Sequence, residues 1–127
     1  MEKRIYYHDT DVGGVVYYAN YLKYMEEARS ELLEQKGVDV KGVTGEKFLY
    51  AVRKCSIVYK SPARYGDVIV ADAEIKKVTH AQIIFRQKVY EKDSRRILVE
   101  AEVSIVTLNS DFKPVAMPDS LRQKLLN

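Results

Sequence analysis

An α+β fold is predicted by three features of the chain: one long amphipathic helix near the start, several later segments with strand periodicity, and short turns between those segments. Consecutive strands joined by short turns pair antiparallel, so the single dominant helix has to cover one face of their sheet. With 127 residues the chain fits one domain, residues 1–127, with no repeat, low-complexity tract or Gly/Ser linker to divide it.

A short strand is expected at residues 3 to 7. The helix follows over residues 20 to 36, with Tyr21, Met25, Ala28, Leu32 and Leu33 on one stripe and Lys23, Glu27, Glu31 and Glu34 opposite. Asn20 is an acceptable cap, although a first turn beginning at Val15 or Val16 also fits, and Gly37 is a natural terminator. A charged, glycine-containing loop over residues 37 to 46 leads to a strand at 48 to 59, which ends before Ser61-Pro62-Ala63. In the next strand, residues 67 to 77, Ile69, Ala71, Ala73 and Ile75 face one side and Asp72, Glu74 and Lys76 the other. Residues 81 to 91 and 96 to 108 flank the turn Lys92-Asp93-Ser94 and are expected to form a hairpin. A short helix at 118 to 126, entered through Pro118 and Asp119, closes the chain.

Composition narrows the function. Hydrophobic residues make up 46% and charged residues 31%, and no apolar run is long enough to cross a bilayer, so membrane insertion is not expected. The basic start lacks the apolar segment and cleavage site of an export signal, which predicts a cytoplasmic protein. The net charge of +3, from 21 basic and 18 acidic residues, is too small and too scattered for a nucleic-acid binder, but it suits an anionic small molecule. Cys55 stands alone, so no internal disulfide forms, and without an accompanying His it is read as a small buried hydrophobe rather than a nucleophile.

The most informative stretch runs from His8 to Tyr21 and sets Asp9, Asp11 and the pair Gly13-Gly14 directly before the long helix. A helix start offers unpaired backbone N–H groups and a partial positive potential, both suited to an oxygen that gains negative charge. An acid beside it can attack or activate water. Other chemistries fit less well. A calcium loop counted from Asp9 needs ligands where Gly13 and Asn20 stand, and no second His accompanies His8 for a transition metal, so no metal is expected. Gly13-Gly14 is followed by Val15-Val16 rather than the Lys-Ser/Thr of a phosphate loop. The glycines then either shape a turn or open backbone N–H groups to a ligand.

Asp9-Thr10-Asp11-Val12-Gly13-Gly14-Val15-Val16-Tyr17-Tyr18-Ala19-Asn20-Tyr21, followed by Tyr24-Met25-Glu26-Glu27-Ala28-Arg29, resembles the signature of the 4-hydroxybenzoyl-CoA thioesterase-like family. It is most similar to the bacterial acyl-CoA thioesterase branch associated with the Tol-Pal system. The resemblance extends to Val52-Arg53-Lys54, to Tyr59-Lys60-Ser61-Pro62-Ala63-Arg64 and to Glu100-Ala101-Glu102-Val103, which spans nearly the whole chain. It implies the hotdog fold, a long helix wrapped by an antiparallel sheet, in dimers that often pair into tetramers.

By the same resemblance Asp11 is the catalytic carboxylate, as nucleophile or general base, and the Tyr18 backbone N–H polarises a thioester carbonyl. Asp9, Gly13, Gly14 and Glu26 are supporting candidates, with Asp9 favoured as a loop anchor and Glu26 as a reserve acid. Arg53, Lys60 and Arg64 are candidates for the phosphates of coenzyme A. The expected activity is hydrolysis of an acyl-CoA without cofactor, by a homo-oligomer. The contrasting expectation is a non-catalytic acyl-CoA-binding or scaffold protein of the same fold. A hotdog dehydratase ranks last, since no His lies in a matching local motif.

Overall fold

Alternation of apolar and polar residues builds the sheet, and the pairing register shows how. In the computed structural model, which describes residues 1–38, 40 and 48–127, the elements are β1 (Glu2–Arg4), a 3-10 turn (Tyr7–Asp9), α1 (Asn20–Gln35), β2 (Leu49–Tyr59), β3 (Val68–Val78), β4 (Gln82–Glu91), β5 (Ile97–Leu108) and α2 (Asp119–Leu126). The strands form one antiparallel sheet in the order β1-β3-β4-β5-β2. Cys55, Val103, Phe85 and Ile75 make one row of the inner face, and Ile57, Ala101, Gln87 and Ala73 the next. Ser56, Glu102, Arg86 and Glu74 make a row of the outer face, where Lys76–Glu102 and Arg86–Glu74 are exposed ion pairs of little energetic weight.

Helix α1 lies across β3 and β4. It buries Tyr21, Tyr24, Met25, Ala28, Arg29 and Leu33 against inner-face residues such as Phe85, Ile83 and Ile69, and the fully buried Met25, Phe85, Ile83 and Ile69 side chains are each worth about 1.5–3 kcal/mol. The helix ends as its sequence dictates. Gly37 takes φ +77, its N–H donates to Glu34 O and the Val38 N–H donates to Leu33 O, a Schellman closure. At the other end of the chain, α2 seats Leu121 and Leu125 in the same core.

The structure departs from the sequence reading at several points. The first strand stops at Arg4 because the Tyr6 N–H donates to the Asp9 carboxylate instead of continuing a ladder. Asn20 does not cap α1. Ala19 is the flanking residue, and Asn20 is already helical with its side chain used elsewhere. Val15 and Val16 are not helical either, since they bridge to Arg64 and Thr10. Cys55 is exposed rather than buried, because β2 is an edge strand and much of its inner side lies beyond the cover of α1. Leu32 is only half-buried, whereas Tyr24 and Arg29 are buried. Most of the expected loop over residues 37 to 46, from 41 on and also residue 39, lies outside the described residues.

Arg29 is the unexpected core residue. At 8% exposure its guanidinium donates to Gln87 Oε1 at 3.0 Å, and Gln87 in turn donates from Nε2 to Met25 O at 2.9 Å and to Asp72 O at 3.3 Å. Burial draws the Arg29 pKa down, with the charge of Glu26 opposing it. This chain of donors and acceptors pins the middle of α1 over β3 and β4. Replacing Gln87 by Leu keeps the volume but strands the buried cation, so Gln87→Leu should lower the unfolding free energy by about 3 kcal/mol, read from urea denaturation. An unchanged midpoint would show that the network contributes nothing.

Candidate active site

The segment between the 3-10 turn and α1 is a closed loop. Thr10 bridges to Val16, the Asp11 N–H donates to Val15 O at 2.9 Å, and the Tyr17 N–H donates to Asp9 O at 3.0 Å. Two further contacts hold it against the segment after β2: the Val16 N–H donates to Ala63 O at 2.9 Å, and Val15 bridges to Arg64. The Tyr21 hydroxyl accepts from the Ala63 N–H at 3.3 Å. The loop is therefore fixed on both sides.

Asp9 and Asp11, two residues apart, receive opposite environments. Asp9 is 6% exposed, and its carboxylate accepts from the Tyr6 N–H at 2.9 Å and the Tyr24 hydroxyl at 2.8 Å, with Lys3 Nζ at 3.3 Å and His8 Nε2 at 3.7 Å. Burial pushes its pKa up, but the hydrogen bonds from Tyr6 and Tyr24 and the Lys3 ammonium outweigh that and hold it below the ordinary value. Burial, joined by the hydrogen bond to Asp9, drives the Tyr24 hydroxyl far above its usual range. Asp11 is exposed and in no ion pair among the described residues, with Oδ1 accepting from the Gly13 N–H at 2.9 Å. That bond orients the carboxylate and leaves its other oxygen available.

The glycine pair serves the turn and not a ligand. The Gly13 N–H is engaged by the Asp11 side chain and the Gly14 N–H donates to Asp11 O at 3.0 Å, so neither offers a free donor. Gly14 adopts φ +77, and a Cβ on Gly13 would stand 3.2 Å from Asp11 Oδ1. Free donors are found instead at Tyr18 and Ala19. The Tyr17 and Asn20 N–H groups that flank this pair are taken by Asp9 O and Tyr17 O, and no acceptor among the described residues meets the Tyr18 or Ala19 N–H. Beside it opens a hollow of about 310 Å³ lined by Val16, Tyr18, Tyr21, Tyr59, Lys60, Ser61 and Pro62. Its tyrosines meet edge to face, Tyr18 and Tyr21 each packing on Tyr59, whose hydroxyl donates to Tyr18 O at 3.1 Å. Asp11 does not line this hollow within a single chain; it stands on the adjoining loop.

Of the candidate cations, Lys60 lines the hollow and Arg64 is tied to the loop through Val15, although Lys60 also pairs with Glu100 at 3.2 Å. Arg53 is not with them. It occupies the bulge of β2, seven residues before Lys60, a separation of about 23 Å along a strand. Arg96, not anticipated from the sequence, donates to Pro62 O at 2.8 Å and supports the hollow's wall. Glu26 is exposed on α1, accepts from Ser30 Oγ at 3.1 Å, and lies about 9 Å along the helix from its first residue, Asn20. Among the described residues no group of His, Cys, Asp and Glu is placed to hold a metal ion.

The sequence reading also missed Lys3, Tyr24 and Asn20 as partners of Asp9, and no local pattern marks them, because they come from β1 and from successive turns of α1. A larger groove of about 660 Å³ crosses the outer face of the sheet, lined by residues such as Glu74, Arg86 and Glu102. Its lining carries four acids, Asp72, Glu74, Glu100 and Glu102, against two bases, Arg86 and Lys88, and three of the acids are held in exposed ion pairs with Arg86, Lys60 and Lys76.

Residues 6–125 match the model of the thioesterase-like superfamily. The chain is 35% identical over 119 residues to the acyl-CoA thioester hydrolase YbgC of Shigella flexneri, covering 93% of this chain and 88% of that protein. Among solved structures, a probable thioesterase from Bartonella henselae superposes with a TM-score of 0.84 at 33% identity, over 93% of this chain and 97% of the other. A 1,4-dihydroxy-2-naphthoyl-CoA thioesterase from Synechocystis superposes with a TM-score of 0.89 over 100% of this chain and 94% of the other. At 21% identity that likeness concerns the fold.

The depressed Asp9 pKa has a measurable consequence. A carboxyl group more acidic when folded than when unfolded contributes stability above its unfolded pKa and loses it as pH falls through the folded value. The stability gap between the wild type and Asp9→Asn should therefore be constant at neutral pH and narrow below about pH 4, followed by urea denaturation across pH. A gap unchanged down to pH 2 would show that the Asp9 charge contributes nothing to the folded state.

Proposed function

Because the chain belongs to the thioesterase-like superfamily, we propose that it hydrolyses acyl-CoA thioesters to a free acid and CoA. The observation that carries this reading is an oriented, unpaired Asp11 carboxylate on a rigid loop beside an α1 start whose Tyr18 N–H has no acceptor among the described residues. The thioester carbonyl oxygen accepts from the Tyr18 N–H, where the helix end favours the negative charge that develops on it. Asp11 then acts in one of two ways. As a nucleophile it bonds to the carbonyl carbon, the C–S bond breaks, the CoA thiolate leaves and takes a proton, and water opens the resulting anhydride. As a general base it takes a proton from water while the water oxygen adds to the carbon, and collapse of the adduct expels the same thiolate.

In this reading residues 1–127 form one catalytic domain. Lys60 and Arg64 make the cationic rim for CoA phosphates, Glu26 stays a solvated helix residue, and Gly13 and Gly14 shape the turn that aims Asp11. A free, exposed Cys55 suits the reducing cytoplasm. The working unit is at least a homodimer. Strand β2 spans eleven residues with one edge unpaired among the described residues, and Val52 and Val58 on its two sides are 55% and 57% exposed, a combination that single soluble chains avoid. Pairing through β2, in a dimer or a dimer of dimers, covers that edge.

A panel of acyl-CoA thioesters assayed for release of the CoA thiol tests the activity. Asp11→Asn should lower kcat by about 10²–10⁴-fold, and undiminished turnover in the folded variant would remove Asp11 from the chemistry. Binding of acyl-CoA by a wild type that hydrolyses none of the panel would favour the non-catalytic alternative. For the assembly, sedimentation equilibrium should give two or four chains for the wild type and a shift towards one for Val52→Lys; a monomeric wild type would reject it.

A further inference from the structure

We infer that Asp9 and Asn20 are positioning residues for thioester cleavage, a clasp that fixes where Asp11 and the Tyr18 N–H stand relative to one another; the inference rests on the hydrolase reading above. The Asp9 carbonyl accepts twice, from the Tyr17 N–H at 3.0 Å and from Asn20 Nδ2 at 2.9 Å, and these two donors bracket Tyr18 in the chain. On the same residue the carboxylate is held by the Tyr6 N–H, the Tyr24 hydroxyl and Lys3. One buried residue thus joins β1, the 3-10 turn, the first position of α1 and the turn of α1 that carries Tyr24. Asp11 follows two residues later, inside the loop that the Thr10–Val16 bridge closes. A tilt of the Asp9 peptide moves the acid and the carbonyl-binding amide by different amounts, which is the displacement that catalysis tolerates least.

Asn20 is used in a way that helix stability alone does not require. A capping side chain accepts from an amide of its own first turn, whereas Asn20 spends its donor on the carbonyl of a residue eleven positions earlier. Its hydrogen bond serves the loop. If Asn20 and Asp9 had only a structural role, their loss would lower the unfolding temperature and leave kcat of the folded enzyme unchanged.

The test compares Asn20→Ala, Tyr24→Phe, Asp11→Asn and the double variant Asn20→Ala/Asp11→Asn on an acyl-CoA that the wild type cleaves, each assayed well below its own unfolding temperature. Asn20→Ala and Tyr24→Phe should lower kcat by about 10–100-fold with KM within about threefold of wild type. The double variant should lose less than the product of the two single losses, because both act on one arrangement. Should Asn20→Ala fail to fold, Tyr24→Phe removes a single hydroxyl from the same clasp and is read alone. Values of kcat within about twofold of wild type in the folded clasp variants, or strictly multiplicative losses in the double variant, overturn the clasp. An inactive Asp11→Asn beside fully active clasp variants rejects the clasp and leaves the hydrolase reading standing; a fully active Asp11→Asn, or a wild type that cleaves no thioester, overturns both.

Discussion

A carboxylate taken out of water has to be met by donors, and the way Asp9 meets that requirement organises the end of the molecule where α1 begins. Its oxygens draw in a backbone amide from Tyr6, a hydroxyl from Tyr24 and the ammonium of Lys3, three groups from three parts of the chain. Each contact has a structural effect. The first ends β1, the second sets the loop against α1, and the third ties the strand back to the turn. With Asp9 so occupied, the neighbouring Asp11 is left outside the network, exposed and oriented by a single amide. Two acids two residues apart thereby take different states through environment alone.

The second constraint acts at the middle of α1, where Arg29, Gln87 and two main-chain carbonyls satisfy one another under the helix. A guanidinium in a core is tolerated only when its donors find acceptors in fixed places, so this contact specifies the register of helix on sheet more sharply than apolar packing does. With α1 seated over β3 and β4, β2 remains at the open side, its edge and much of its apolar surface unmatched among the described residues. The hollow beside Tyr18 lies between the start of the helix and the end of β2, at the border of the covered and uncovered parts of the sheet.

Most of the architecture was legible in the sequence because its signals are local. The apolar stripe of α1 and the glycine that stops it, the alternation in β3 and β5, and the Pro118-Asp119 entry to α2 each act over a few residues and correspond to observed elements within a residue or two. Family membership was legible for a related reason, since the residues that carry the resemblance form a contiguous stretch from Asp9 to Arg29. The local reading failed where a distant partner overrode a propensity. Ile5, Tyr6 and Tyr7 have strand character but yield to the Asp9 carboxylate, and Asn20 has capping character but donates to the Asp9 carbonyl. Cys55 has the composition of a core strand around it, yet it lies on the edge strand of the sheet.

The sequence by itself determined the fold class, the order of the elements and the stretch that bears the acids, because periodicity, turn chemistry and a continuous motif are written in neighbouring residues. Tertiary structure alone decided which acid is buried and which is free, that the glycine amides are spent while the Tyr18 amide is not, and that Arg53 stands apart from Lys60 and Arg64. Those outcomes depend on hydrogen-bond partners from β1, from successive turns of α1 and from the segment after β2. A donor separated by tens of residues leaves no mark beside its acceptor until folding brings the two within 3 Å.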